Sequence, residues 1–193
     1  MSLVYAHKGL LRRRYITMSN AKYSLPLPPN EPVCTYAPQT PERASLKEKI
    51  STLRNTQIEI PLIIGGKEVR TGNMGTCILP HEHGTVIGTY HKAGAKEVAM
   101  AIESSLEAQK TWAEMAWENR VAVFMKAASL LAGPARQETN AATMLCQSKN
   151  AFQAEIDAAC ELIDFLRFNS YYAMQLFEQQ PPYSPSGTWN GME

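Results

Sequence analysis

One acidic residue stands out in this chain because it interrupts an apolar helical face. Glu155 is followed at helical spacing by Ala158, Leu162 and Phe165, in a segment from Lys149 to Gln180 that we predict to form one long helix. A charge on an apolar face is costly unless it is paired, hydrogen-bonded or open to a cleft. Two interpretations follow: a structural carboxylate satisfied by a neighbouring arginine or amide, and a carboxylate in a binding pocket.

The other charged residues of this helix are expected to face solvent. They are Asp157, Glu161, Asp164 and Arg167. Asp164 and Arg167 are three positions apart, a spacing that permits an ion pair on the helix surface. A second apolar stripe lies beside the first and consists of Phe152, Ile156, Ala159, Ile163 and Leu166. An apolar arc of this width indicates a central helix that is covered by its neighbours.

Cysteine and histidine are the remaining candidates for chemistry. The four cysteines, which lack CxxC spacing, are Cys34, Cys77, Cys146 and Cys160. We interpret them as reduced thiols of an intracellular protein. Lys149 could lower the pKa of the Cys146 thiol, but a buried, inert thiol is the favoured interpretation. His81 and His83 form an H-E-H triplet without a third ligand cluster nearby, which favours a loop role over a metal site.

Composition excludes several classes of protein. The 193 residues include 19 basic and 18 acidic residues, so no basic field is available to recruit a nucleic acid. No apolar run approaches the ~20 residues that span a bilayer, which argues against an integral membrane protein. Gly65-Gly66 is not part of a GxGxxG or GxxxxGK motif. The residues alone predict a soluble α+β fragment without a complete active site.

The N-terminal residues differ in composition from the rest of the chain. Six basic residues precede the first acid, Glu31, and are interleaved with leucine, tyrosine, serine and threonine. This composition predicts a mitochondrial transit peptide over residues 1–20; the alternatives are a disordered basic tail and, less favoured, an RNA-binding arm. Residues 21–41 are predicted to be a proline-rich extended lead-in.

The next elements must position any site. Thr40-Pro41-Glu42 predicts the start of a helix that ends near Arg54, with threonine as a candidate cap. Alternating and β-branched residues predict a hairpin over residues 58–71 that turns at Gly65-Gly66. We expect two further strands over residues 76–79 and 85–91, and then helices over residues 96–117, 118–131 and 137–147. Residues around Trp189 are strand-like.

Several segments together carry a resemblance to a known family. They are NEPVCTYAPQTPER, PHEHGTVIGTYHKA, ENRVAVFMKAASLLAGP, ATMLCQSKN, QAEIDAACELIDFLRFN and EQQPP. From about Asn30 onward the chain resembles the N-terminal portion of the delta-1-pyrroline-5-carboxylate dehydrogenases, a mitochondrial branch of the aldehyde dehydrogenase superfamily. Members of that branch oxidise L-glutamate gamma-semialdehyde to L-glutamate in proline breakdown.

The resemblance implies an α/β enzyme with a Rossmann-type NAD-binding domain, a catalytic domain and an oligomerisation hairpin. In the family, a cysteine thiolate attacks the aldehyde, hydride passes to NAD, and a glutamate-activated water hydrolyses the thioester. Residues 42–180 would be the N-terminal part of the NAD-binding domain, and residues 181–193 the start of the hairpin. The catalytic residues and the nucleotide loop would lie beyond residue 193, so we expect no catalytic, cofactor-binding or metal-binding residue here.

One site residue carries over from the resemblance. Glu155 stands at the glutamate of QAEIDAA, on the helix that lines the aldehyde entrance, and would be a substrate-binding carboxylate for the ammonium group of the semialdehyde. Cys146 replaces a usual glycine, and would strain the loop if that glycine had positive φ. NAD as cofactor, an aldehyde substrate, a homo-oligomer formed through the hairpin, and the mitochondrial matrix are the further expectations, without nucleic acid or membrane.

Three hypotheses remain open at this point. The chain is the N-terminal piece of an ordinary dehydrogenase, or a short product that binds full-length subunits without catalysis, or a structural subunit of another mitochondrial complex. The first is favoured. In each case the 193-residue chain alone is expected to be inactive.

Overall fold

The computed structural model describes residues 23–192, so the predicted transit peptide lies outside the described residues. Seven segments are helical, and they form the larger part of the fold. They are α1 (Pro41–Asn55), α2 (Ala95–Ala113), α3 (Trp117–Ala132), α4 (Arg136–Gln147), α5 (Ala151–Ala154), a π-helix (Glu155–Cys160) and α6 (Glu161–Glu178). The predicted mixture of helices and strands is confirmed, and most predicted boundaries agree within a few residues.

Five strands form two small sheets. They are β1 (Ile58–Ile60), β2 (Leu62–Ile64), β3 (Lys67–Val69), β4 (Met74–Leu79) and β5 (Glu82–His91). The order β1-β5-β4 makes a three-stranded sheet, in which β1 is parallel and β4 antiparallel to β5. The hairpin β2-β3 is confirmed, with Gly65 and Gly66 at positive φ in its turn.

The prediction of a single first strand in this hairpin is wrong, because residues 58–64 form two separate strands, β1 and β2. β1 and β2 are separated by Pro61 and pair in different sheets. Proline has no backbone N–H to give to a ladder, and it therefore suits the point at which the chain passes from one sheet to the other. Thr40 does not cap α1 either; its hydroxyl donates to the carbonyl of Ala37 at 2.9 Å.

Three small clusters of buried side chains hold the helices and the sheet together. One joins the lead-in to α1 and α4 through Tyr36, Leu46 and Ala141. A second joins β4, β5 and α4 through Leu79, Ile87 and Leu145, and a third joins α3 to the long helix through Ala128, Ala159 and Ile163. The core is therefore divided, and α4 contributes to two of its three parts.

Residues 181–192 fold back on the end of α6. The Met192 N–H donates to Oε1 of Gln180 at 2.8 Å, and the Asn190 side chain donates to the carbonyl of Tyr183 at 3.2 Å. Gly187, at φ 75°, provides the turn. None of these described residues pairs as a strand, so the strand predicted around Trp189 is wrong for this part of the chain.

Candidate functional site

Glu155 lies at the centre of a buried polar cluster. Its carboxylate has no exposed surface. Oε1 accepts from the Cys34 N–H at 2.7 Å, and Oε2 accepts from the Tyr36 hydroxyl and from Nδ2 of Asn140, both at 2.7 Å. Arg136 donates to both oxygens. We call Glu31, Tyr36, Arg136, Asn140 and Glu155 the Glu155 network.

Arg136 connects this carboxylate to a second one. Its guanidinium also donates to Glu31, whose side chain is only 8% exposed, and to the carbonyl of Pro32 at 2.7 Å. Arg167 donates to the other oxygen of Glu31 at 2.5 Å. The buried charges therefore alternate in sign, which is the arrangement in which desolvated ions stabilise each other.

The network shifts the ionisation of its members. Burial raises the pKa of Glu155, but hydrogen bonds from Arg136, Tyr36 and the Cys34 N–H outweigh it and lower that pKa to about 2. Burial and the hydrogen bond to Glu155 raise the pKa of Tyr36 above its usual value. Burial disfavours the charge on Arg136, but its bonds to Glu155 and Glu31 raise its pKa. All three groups keep their usual charge states at neutral pH.

These contacts match the structural interpretation of Glu155. Every acceptor direction of the carboxylate faces a donor, and no surface remains for a ligand. Contact with a substrate, as predicted from the resemblance, would require Tyr36 or Asn140 to move away. No local sequence pattern indicates these neighbours, because Tyr36 lies 119 residues from Glu155 and Asn140 lies 15 residues away.

The predicted apolar stripe around Glu155 is wrong. Leu162 and Phe165 are exposed, at 41% and 58%, whereas Ile163 is fully buried together with Ala159. The reason is the π-helix, in which the Glu161 N–H bonds to the carbonyl of Ile156, five residues back. One extra residue per turn rotates all later side chains by about 100° relative to an uninterrupted α-helix.

The predicted surface pair of Asp164 and Arg167 is also wrong, because both bind the lead-in. Asp164 accepts from Nδ2 of Asn30 and from the Glu31 N–H, each at 2.7 Å. Arg167 binds Glu31. Further along, the Leu25 N–H lies 3.0 Å from the sulfur of Met174. We call residues 25–36 the strap; it runs antiparallel to α6 and ends at the Glu155 network.

A groove of about 360 Å³, lined by both polar and apolar side chains, lies on a different side of the same helix. We call it the acidic groove. Two exposed carboxylates line it, Asp157 and Glu161. Its other lining residues are Thr139, Thr143, Gln147, Lys149, Ala158, Leu162 and Phe165. Lys149 binds Asp157 at 2.6 Å, which leaves Glu161 as the acid of this groove without an ion-pair partner within residues 23–192.

A larger groove, of about 470 Å³, lies between α3 and α6 and is mostly apolar, with five aromatic side chains in its lining. Trp117 stacks on Phe177 with ring centroids 5.6 Å apart, and the Arg120 guanidinium lies over Phe177. Phe165 lines both grooves. The exposed ring of Phe165 therefore lies between the acidic groove and the larger groove.

The cysteines and histidines do not form a site among the described residues. Cys146 is exposed, so the favoured prediction of a buried thiol is wrong. Partial desolvation raises the pKa of this thiol and Lys149 binds Asp157, so the thiol is not activated. Within residues 23–192, no cluster of histidine, cysteine, aspartate and glutamate could hold a metal ion. His81 lies 2.9 Å from the hydroxyl of Ser148. Positive φ occurs at Ser148 (55°), which ends α4, and not at Cys146.

The chain as a whole is similar to known proteins. The profile described as the aldehyde dehydrogenase family matches residues 69–191, which is more than half of the chain. The chain belongs to the aldehyde dehydrogenase family. Within that family it is similar to the mitochondrial delta-1-pyrroline-5-carboxylate dehydrogenase of Dictyostelium discoideum, with 44% identity over 170 residues. That match covers 88% of this chain and 30% of the relative; the human mitochondrial enzyme is 39% identical, over 85% of this chain and 30% of its own length.

Solved structures agree with the sequence relatives. The delta-pyrroline-5-carboxylate dehydrogenase of Mycobacterium tuberculosis bound with NAD matches at TM-score 0.83 and 45% identity, over 86% of this chain and 31% of that one. A Thermus thermophilus 1-pyrroline-5-carboxylate dehydrogenase matches at TM-score 0.77 and 30% identity, over 86% and 32%. The chain therefore spans about a third of the length of its relatives. NAD is the cofactor of the family.

The described residues do not fit a dinucleotide. The helix start that follows a strand most closely is that of α2, three residues after β5, and only one of those residues, Gly94, is a glycine. The Gly94 N–H donates to the carboxylate of Glu97 at 2.8 Å. A carboxylate in this position competes with a phosphate for the helix N-terminus and repels it. We therefore assign none of residues 23–192 to NAD.

No helix within residues 23–192 is long and apolar enough to cross a membrane.

Proposed function

We propose that this chain is the N-terminal part of an NAD-dependent dehydrogenase that oxidises L-glutamate gamma-semialdehyde to L-glutamate in proline breakdown. The observation that carries the proposal is the 44% identity to the Dictyostelium enzyme over 88% of this chain. The relatives that are named mitochondrial support a mitochondrial location, and we propose the matrix. Residues 1–20 remain the candidate transit peptide.

A chimera tests this proposal. The chain would replace the matching third of the Dictyostelium enzyme, and reduction of NAD would be followed with the semialdehyde as substrate. We expect turnover by the chimera and none by the isolated 193-residue chain. A folded chimera without turnover would contradict the proposal, and turnover by the isolated chain would contradict the predicted inactivity of this part.

Within this function, we place the substrate-facing carboxylate at Glu161. The semialdehyde carries an ammonium group, which an exposed carboxylate attracts. Glu161 lines the acidic groove and has no competing cation within the described residues, whereas Glu155 is closed in by four donors. The predicted substrate contact of Glu155 stays a prediction that depends on rearrangement of its network.

Two matched variants of the chimera separate these residues. Glu161→Gln should raise KM for the semialdehyde by about tenfold, with little loss of stability, because one exposed charge is removed. Glu155→Gln should lower the melting temperature, so that any change in its KM is accompanied by a loss of stability, unlike the change at Glu161. The reverse pattern would return the substrate role to Glu155.

We also propose that residues 181–192 contribute to a homo-oligomer. Trp189 is 96% exposed and Tyr183 is 74% exposed, and large aromatic side chains that exposed are typical of protein interfaces. Light scattering of the chimera should give at least a dimer. Trp189→Ser should shift it towards the monomer, whereas Met74→Ser, a change to an exposed residue of another region, should not.

A further inference from the structure

The strap contacts the long helix over most of its length. As residue numbers rise along the strap, those of its partners fall: Leu25 meets Met174, Glu31 meets Asp164, and Cys34 meets Glu155. Two of these three contacts are from a backbone N–H to a carboxylate, so they depend on the course of the chain and not on side-chain packing. The backbone of the strap is therefore bound by carboxylates of the long helix.

The last turn of the strap is conformationally strained. Tyr36 has φ 52°, in the left-handed region that is costly for a bulky residue, and yet its side chain is 6% exposed and bonded to Glu155. Arg43 donates to its carbonyl at 3.0 Å. Such strain persists only where the surroundings determine the conformation, and it is found at functional sites.

Both ends of the π-helix contact the same network. Glu155 is its first residue, and Cys160 is its last. The sulfur of Cys160 lies 3.7 Å from Oε1 of Glu155, 3.6 Å from Nη2 of Arg136 and 3.9 Å from the carbonyl of Pro32. The strap and Arg136 therefore lie across the turn in which the helix gains its extra residue.

The family profile and the Dictyostelium relative match different parts of the chain, and only the second match includes the strap. The family profile begins at residue 69, after the strap. A match of 170 residues in a chain of 193 must begin by about residue 24, so the Dictyostelium relative shares the whole span of the strap. The strap therefore lies outside the residues that the aldehyde dehydrogenase profile matches and within the span that is aligned with the Dictyostelium relative.

We propose that Tyr36 and Glu31 are positioning residues that hold the π-helix through Glu155 and Arg136, and so set the direction in which Glu161 faces the acidic groove. This inference rests on the proposed function only for its effect on substrate. A return to α-helical pairing would rotate Glu161 by about 100° about the helix axis relative to Glu155. The strap thereby influences substrate specificity without contacting the substrate, because it fixes the orientation of Glu161.

Hydrogen exchange of the 193-residue chain tests the positioning step without any activity. The reporter is the amide of Glu161, which makes the five-residue π-helical bond. Tyr36→Phe should accelerate its exchange by about tenfold or more, because a buried donor to a carboxylate is lost. Tyr23→Phe makes the same chemical change at an exposed residue and should leave the exchange unchanged. Equal rates in the two variants would overturn the proposal.

Kinetics of the chimera test the consequence for the substrate. Tyr36→Phe and Glu31→Gln should each raise KM for the semialdehyde about tenfold, with kcat and KM for an uncharged aldehyde of similar length unchanged. Glu31→Gln keeps the shape of the side chain and serves if Tyr36→Phe does not fold. An equal rise of KM for both aldehydes would refute the specificity role. An inactive wild-type chimera would count against the proposed function, while hydrogen exchange would still decide the positioning step.

Discussion

Arg136 holds Glu155 through two nitrogen atoms, one for each carboxylate oxygen. Nη2 donates to Oε1, and Nε donates to Oε2 at 3.4 Å. Both side chains are buried, at 8% and 0% exposure, so neither charge is stabilised by bulk water. Removing one partner of such a pair costs far more than the pair contributes, because the remaining charge stays desolvated.

The first prediction concerns this pair. Arg136→Met should lower the free energy of unfolding by about 3–5 kcal/mol, since Glu155 and Glu31 would then face each other without a shared cation. Lys110→Met is the control; it removes an exposed pair with Glu107 and should cost less than about 1 kcal/mol. Urea unfolding measures both, and equal costs would contradict the assignment of Arg136.

The second prediction is a pH dependence. The pKa of Glu155 falls from 4.5 to about 2 in the folded chain, so the folded state favours the ionised carboxylate. The resulting stabilisation, on the order of 3 kcal/mol, is fully present above about pH 5 and is lost as the pH falls towards 2. Glu155→Gln should remove this part of the acid dependence. A variant with the wild-type slope between pH 5 and 2.5 would show that other carboxylates cause it.

The third prediction concerns the end of α4. Ser148 has φ 55°, where glycine is free of the steric cost that a side chain meets. Ser148→Gly should therefore raise the free energy of unfolding by up to about 1 kcal/mol, even though the contact with His81 is lost. Ser148→Ala loses the same contact without relieving the backbone, and should be destabilising. Melting temperatures in the opposite order would be inconsistent with strain at this residue.

Much of the secondary structure follows from the sequence, and the site does not. Proline and glycine mark the ends of helices and strands, so α1 begins at Pro41 and the β2-β3 turn lies at Gly65-Gly66, as predicted. Glu155 was recognised as unusual because its charge breaks an apolar pattern. Its neighbours were not found, since they come from the strap and α4 and share no spacing with it.

The π-helix was missed for a different reason. A helical pattern assumes 3.6 residues per turn, and one inserted residue carries every later position to another face. Leu162 is therefore predicted to be covered but is exposed, whereas Ile163, predicted on the second apolar stripe, is buried as expected. For the network, one signal is present in α4: Arg136 and Asn140 lie four residues apart, share one helical face, and are both buried.

The fourth prediction tests this change of face. Ile163→Ala should cost about 2–5 kcal/mol, because Ile163 is fully buried against Ala128 and Ala159. Leu162→Ala alters the next residue, which is 41% exposed, and should cost less than about 1 kcal/mol. Chemical denaturation of the two variants compares the faces directly. A larger loss of stability for Leu162→Ala than for Ile163→Ala would favour an uninterrupted α-helix over the π-helix.

The path of the strap also determines when the chain can complete its fold. Residues 25–36 are synthesised well before their partners, which lie 101 to 149 residues further on. Contacts between such distant residues must wait for the loop between them to close. Until α6 has been synthesised, Arg136 and Glu31 have no buried environment to enter, and the apolar faces around them stay open to water. Docking of the strap is therefore expected to be among the last steps in the folding of residues 23–192, and nascent chains that lack α6 should depend on chaperones.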